Sequence, residues 1–374
     1  MQGATTARRP AGRLVGALAM AAAATGAAIA APDGASAGPA PPPRPNVIVV
    51  MTDDQTTSLL RRRTMPRTMR LLAGRDVGTR FTRAYVSSPL CCPARAGFLT
   101  GAYPHNNGVF DNNPGYEALR APDQTLFTWL RDAGYRTAHM GRFLLGYEEA
   151  ATAPADEYGG PLPASPAPPG VDEWFGFAQA QTLYYNAPFS DNGNPVQLPA
   201  DTRGYTTRVL NERAVNFVRG AAPSDQPFFL WLAHLAPHST NFDFRGPCGS
   251  GAPAHEPGTY RRWANARLPR PPSFNEKANR DKPRWVRSRN RLSRRKVTAI
   301  KKSWRCAHAA LTTVDRGVAD LVRALEETGE LDRTAIFFTS DNGYLYGEHR
   351  VVLQKIYPYE ESWRVPLVAR VPPA

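Results

Sequence analysis

Asn46-Val47-Ile48-Val49-Val50-Met51-Thr52-Asp53-Asp54-Gln55 decides the fold. The apolar, largely β-branched body from Val47 to Met51 is unbroken, whereas a strand with one wet face would alternate, so it reads as a central strand buried on both sides. It ends in two carboxylates, and the carboxyl edge of an open α/β sheet is where ligands bind. A second unit of the same construction lies near the end of the chain: Thr334-Ala335-Ile336-Phe337-Phe338-Thr339-Ser340, then Asp341-Asn342-Gly343. Two strands far apart in sequence thus deliver oxygen donors at equivalent positions.

Between them, strands are expected at Arg136 to Met140 and Phe228 to Leu235, and helices at Thr125 to Ala133 and Tyr205 to Arg219. The clearest helix runs from about Val297 to Glu327. Val297, Ile300, Trp304, Ala307, Leu311, Val314, Val318, Leu321 and Leu325 recur in steps of three and four, which puts them on one face. That face is expected to pack on the sheet, and Gly329 to stop the helix. Proline- and glycine-rich loops are expected over 150–170 and 246–258. The whole is an α/β protein.

The 374 residues, 42% of them hydrophobic, suffice for one large domain. Arg8, Arg9 and Arg13 precede an alanine-rich apolar run ending in Ala35-Ser36-Ala37, the pattern of a secretory signal over 1–37 with cleavage after Ala30 or Ala37. A proline-rich leader over 38–45 and the main domain over 46–374 follow. No other stretch could span a bilayer. The expectation is export, to the periplasm or the medium, without a stable membrane anchor.

The net charge of +14 favours polyanionic partners. No nucleic-acid-binding motif accompanies it, so nucleic acid is not expected among them. Positive charge is densest from Arg280 to Arg305, where Asp281 is the only acid. That stretch is either a solvated face or a rail for an anionic chain with Trp285 and Trp304 interleaved.

The chemistry centres on Cys91-Cys92-Pro93-Ala94-Arg95-Ala96-Gly97-Phe98-Leu99-Thr100-Gly101. Pro93 suits the first position of a helix, which would put Cys91 just before a helix N-terminus, where backbone N–H groups favour negative charge. Arg95 would lie one turn inside, able to point back at an oxyanion. Asp53, Asp54, Asp341 and Asn342 are hard oxygen donors that suit calcium or magnesium far better than zinc. Taken alone, the cysteine could be a buried one at an ordinary turn, and each acidic pair a solvated loop.

Together these motifs resemble the formylglycine-dependent sulfatases. The resemblance implies an alkaline-phosphatase-like sandwich, a large, mostly parallel sheet flanked by helices. In that family the first residue of the Cys-x-Pro-Ser/Ala-Arg run, here Cys91, is oxidised by a formylglycine-generating enzyme to an aldehyde whose hydrate is the nucleophile. One calcium ion, held by residues matching Asp53, Asp54, Asp341 and Asn342, polarises a sulfate oxygen and holds the oxygen on residue 91. Arg95, His238 in Ala236-Pro237-His238, and Lys355 would contact the sulfate. His349 is a further candidate, for the site or for loop stabilisation. With Cys91 consumed, Cys248 and Cys306 can pair, leaving Cys92 buried beside the helix.

Departures from the family pattern are Ala94 for the commoner serine and Gly141-Arg142-Phe143-Leu144 where many sulfatases have Gly-Lys-Trp-His. Arg142 keeps the positive charge for substrate binding, and Leu144 offers no acid or base. This spelling, the doubled cysteine, Tyr103-Pro104-His105-Asn106-Asn107 and Tyr184-Tyr185-Asn186 resemble the N-acetylglucosamine-6-sulfatase and heparan endosulfatase branch. The resemblance implies a sulfated carbohydrate or aryl sulfate substrate. It also leads us to expect that the family's usual small C-terminal domain is missing, as in a fragment, a truncated product or a shortened variant. The alternatives are a formylglycine-dependent phosphodiesterase or phosphonate monoester hydrolase, and a non-catalytic binder of sulfated glycans if Cys91 is unmodified.

Overall fold

Nine strands form one sheet in a computed structural model that describes residues 44–147, 165–178, 182–241 and 247–372. The signal segment, most of the leader and most of the loop expected over 150–170 lie outside the described residues. In chain order the strands are β1 (Asn46–Thr52), β2 (Thr79–Tyr85), β3 (Arg136–Gly141), β4 (Glu173–Phe177), β5 (Pro188–Asp191), β6 (Asn194–Gln197), β7 (Phe228–Ala233), β8 (Thr334–Ser340), β9 (Leu345–Tyr346), β10 (Val352–Gln354) and β11 (Arg364–Arg370). The sheet order is β2-β11-β8-β1-β7-β3-β4-β5-β6, while β9 and β10 form a separate pair.

The centre is parallel: β1 lies between β8 and β7, and β3 continues from β7 to β4. Both edges are antiparallel, with β11 and β2 on one side and β5 and β6 on the other. The mostly parallel α/β architecture is therefore as expected, and β1 holds its centre. Ile48 and Val50 enter one hydrophobic cluster and Val49 and Met51 the other, so the strand has no wet face. That burial explains its unbroken apolar run.

Four helices matter for the site: α1 (Cys91–Thr100), α2 (Leu126–Asp132), α3 (Thr206–Ala221) and α4 (Arg294–Glu327). Cys92, Ala96 and Leu99 of α1 and Phe127 of α2 pack on one face of the sheet, and α3 and α4 on the other. In α4 the predicted stripe is buried from Ile300 to Leu325, with Val297 partly covered at its outer end. Gly329, at φ +75°, ends the helix in a Schellman turn: its N–H bonds Glu326 O at 3.2 Å and the Glu330 N–H bonds Leu325 O at 2.8 Å.

Two local expectations are corrected. Cys91 is the first residue inside α1, not the residue before it, and Pro93 occupies the third helical position. Proline is tolerated there because the first turn's N–H groups have no intrahelical partner. Trp304, expected to interleave a surface rail, is only 4% exposed and packs edge-on against Tyr346 at 5.0 Å. Its place in the apolar stripe of α4 takes it inward.

Cys248 and Cys306 form a disulfide joining the 246–258 loop region to α4. Among the described residues no helix is long and apolar enough to cross a membrane.

Candidate active site

The carboxyl ends of β1 and β8 meet because the strands are paired in register, Thr52 opposite Ser340. The chain then turns out of the sheet in both places. Asp54 takes φ +66°, a left-handed conformation that aspartate tolerates better than most side chains, and its N–H bonds Asp341 Oδ1 at 3.2 Å. Ser340 braces the turn, its hydroxyl donating to Thr52 O or Asn342 O at 3.1 and 2.9 Å. Asp53, Asp54, Asp341 and Asn342 are all buried.

Helix α1 brings two further groups to these oxygens. Cys91 Sγ lies 3.8 Å from Asp53 Oδ1. One turn on, the wholly buried Arg95 spreads its fork over three acceptors: Nε to Asp341 Oδ2 at 2.9 Å, Nη2 to Asp53 Oδ2 at 3.3 Å and Nη1 to Arg142 O at 2.5 Å. Arg142, just beyond β3, sets its Nε 3.2 Å from Asp53 Oδ2. Lys355 enters after β10, its Nζ 2.6 Å from Asp54 Oδ1, 2.8 Å from Cys91 Sγ and 3.4 Å from Asn342 Oδ1.

His238 follows β7 at the same edge. Its Nδ1 is 2.6 Å from Ser239 O, which assigns the proton to that nitrogen and turns Nε2 towards Asp54 Oδ2 at 3.5 Å. Its side chain keeps 20% exposure where Arg95 has none, so the imidazole stands at the mouth of the cluster.

Every residue predicted for catalysis, substrate or metal is thus brought to one place. His349 is not. It stacks on Tyr359 at 3.7 Å between Glu276 and Glu361, which makes it a loop brace. Leu144 is buried without a polar group, as its identity requires.

Two supports lie outside the predicted set. Asn112 Oδ1 accepts the Cys92 N–H at 3.0 Å, supplying the cap that Leu90 cannot, and Tyr184 donates to His238 O at 2.7 Å. Nothing in local sequence pairs Asn112 with a helix twenty residues away. The Cys92 sulfur accepts the Leu145 N–H at 3.0 Å.

Burial, and next the charge of Asp53, push the Cys91 thiol up to about 12, against the pull of Lys355. Burial and Asp53 also raise Asp341 above the usual carboxylate range, with Arg95 and Lys355 opposing. Burial works against the charge on Lys355, but Asp54, the Cys91 sulfur, Asp53 and Asp341 together hold its ammonium well above the ordinary lysine range.

Ligand oxygens of Asp53, Asp54 and Asp341 lie within 4.8 Å of one another, a spacing that could hold a metal ion. The donors are all oxygen and already gather round the Lys355 ammonium, so a hard cation fits them. Three carboxylates face three cations, Arg95, Arg142 and Lys355, so the side chains alone offer an anion no net attraction. A divalent ion would supply it.

The chain belongs to the sulfatase family: the family model described as Sulfatase matches residues 45–374. It is 33% identical to the extracellular sulfatase SULF-1 homolog of Drosophila melanogaster, over 87% of this chain and 27% of that protein. It is 31% identical to the N-acetylglucosamine-6-sulfatase of Homo sapiens, over 87% of this chain and 56% of that one. The chain therefore spans from about a quarter to just over half the length of these relatives. A protein solved in complex with its substrate D-glucosamine-2-N,6-O-disulfate has the same fold, with a TM-score of 0.69 and 24% identity over 88% of this chain and 71% of that one. The phosphonate monoester hydrolase of Agrobacterium radiobacter shares the fold too, with a TM-score of 0.60 and 22% identity over 88% and 68% of the two chains.

Proposed function

We propose that the protein is an exported sulfuric ester hydrolase acting on sulfated sugars, with formylglycine made from Cys91 as nucleophile and one calcium ion. The observation that carries this reading is the place of Cys91, at the start of α1 and within reach of both Lys355 and Asp53. Extracellular and N-acetylglucosamine-6-sulfatases among the relatives support the substrate class and the export.

Asp53, Asp54, Asp341 and Asn342 would hold the calcium ion, which supplies Lewis-acid polarisation of a sulfate oxygen. The hydrated aldehyde at position 91 supplies the attacking hydroxyl. Arg95 fixes Asp53 and Asp341 in place by its fork and keeps the α1 terminus against them. Lys355 and Arg142 bring positive charge to the sulfate oxygens, where preorganised donors lower the barrier most. His238, held at Nδ1 by Ser239 O, presents Nε2 at the mouth, where the doubly protonated ring would bond a sulfate oxygen and give its Nε2 proton to the departing alcohol.

Peptide mass spectrometry across Cys91 is the test. The expected result is an aldehyde-bearing peptide, lighter than the thiol form, from protein produced with a formylglycine-generating enzyme. That preparation should turn over an aryl sulfate faster than an aryl phosphonate or a phosphate diester. An unmodified thiol in active protein, or the opposite substrate ranking, would sink the reading.

A further inference from the structure

A cavity of about 520 Å³ opens between the segment after Asp54, the loop 263–269 and the first half of α4. Its size is that of small-molecule sites. None of its lining residues belongs to the cysteine and carboxylate cluster. Arg61, Arg63 and Arg267 bring three positive charges to its wall, no lining residue is acidic, and none of the three forms an ion pair among the described residues.

Behind its wall, two buried nitrogens have no partner among the described residues: Trp304 Nε1, in a residue 4% exposed, and His308 Nδ1, in a residue 7% exposed. An indole N–H can only donate, and a buried donor left unpaired is costly. Trp263 stacks on His308 at 4.5 Å, and Trp304 meets it edge-on at 4.9 Å, so the aromatic wall is rigid. Burial, and next the charge of Arg63, bring His308 down to about 3, which leaves the imidazole neutral at physiological pH.

The adjoining cavity of about 430 Å³ shares Ser58, Arg61, Pro269 and Trp304 but is lined by Glu348, Glu360 and Glu361 as well. The charge thus changes character across Trp304, and of the two cavities the first combines cations with no carboxylate.

We infer that this first cavity is a second anion site, which takes a sulfate or carboxylate group carried on a saccharide. Arg61, Arg63 and Arg267 supply the charge, and the Ser58 hydroxyl and the Asn265 amide, which line the same cavity, the directional donors. The oxyanion chemistry stands on the cavity alone, whereas the saccharide carrier rests on the function proposed above.

The test measures binding of a heparin-derived tetrasaccharide and of inorganic sulfate by calorimetry and tryptophan fluorescence, in full-length protein carrying Cys91→Ala. Cys91→Ala should still bind the tetrasaccharide and change its tryptophan emission. Adding Arg63→Ala and Arg267→Ala should weaken binding about tenfold or more, the scale of losing one charged hydrogen bond. Ser58→Ala removes one lining hydroxyl, so it should weaken binding about threefold, the scale of one neutral hydrogen bond, with unfolding temperature as the control for packing. In protein that retains Cys91, the arginine pair should leave turnover of a small aryl sulfate unchanged. Unchanged tetrasaccharide affinity in the arginine variant would overturn the site, and inorganic sulfate binding as tightly as the tetrasaccharide would overturn the saccharide carrier. If instead the cavity binds as expected but intact protein hydrolyses no sulfate ester, the proposed function fails and the anion site stands.

Discussion

Arg95 bonds two carboxylates and a backbone carbonyl from a position without solvent, so no single replacement satisfies all three. Arg95→Ala would leave Asp53 and Asp341 without their main buried partner, and the expected loss is about 3–5 kcal/mol, read as a fall in denaturation midpoint. Arg95→Lys keeps the charge but not the fork, so it should fold better than the alanine variant and still turn over poorly. Equal stability of wild type and Arg95→Ala would show that the carboxylates have other support. Cys91→Ala should abolish sulfate ester turnover while leaving the fold intact, since a methyl group cannot become a hydrated aldehyde. The oxygen donors make a matching prediction for metal. A chelated enzyme should regain activity with calcium better than with zinc, and calcium at a hundred times its dissociation constant should add about 2.7 kcal/mol of stability. Full activity after exhaustive chelation would remove the ion from the proposal.

At the scale of elements, the residues legible from sequence were those whose side-chain type and strand-end position coincide. β1 and β8 could be read because burial on both faces makes their sequences continuously apolar, and their terminal acids follow at once. The α4 stripe could be read because a long helix repeats its signal many times. Strands β2, β5 and β6 could not, since β2 is exposed along almost its whole length and short β5 and β6 carry little periodicity. Asn192-Gly193, with both residues at positive φ, is the hairpin signal that would have found β5 and β6. Long-range supports such as Asn112 leave no local pattern. Asn112→Ala should therefore cost about 1 kcal/mol, the worth of a cap, and should reduce turnover through the placement of α1. Thermal unfolding and steady-state rates would check both, and an unchanged rate would confine Asn112 to stability.

Across the whole molecule, positive charge is densest along the stretch from Arg280 to Arg305. Arg287, Arg291, Arg294 and Arg295 are exposed, while Trp285, just before them in the chain, is fixed by stacking on Tyr357 at 4.6 Å and by Arg289, whose Nη2 donates to the Tyr357 hydroxyl at 3.0 Å. Trp304 is withdrawn into the core, so any rail here works by charge with one aromatic, Trp285, beside it. Exposed charges act over about 8 Å at physiological ionic strength and farther when salt is removed. Neutralising the four arginines together should weaken binding of a heparan-like chain, most strongly at low salt. The same variant should hydrolyse a small aryl sulfate at the wild-type rate, because none of the four arginines bonds a residue of the carboxylate and cysteine cluster. Equal losses on both substrates would indicate damaged folding. No loss on either would assign the arginines to an ordinary solvated face, and the net charge of +14 would then need another partner to explain it.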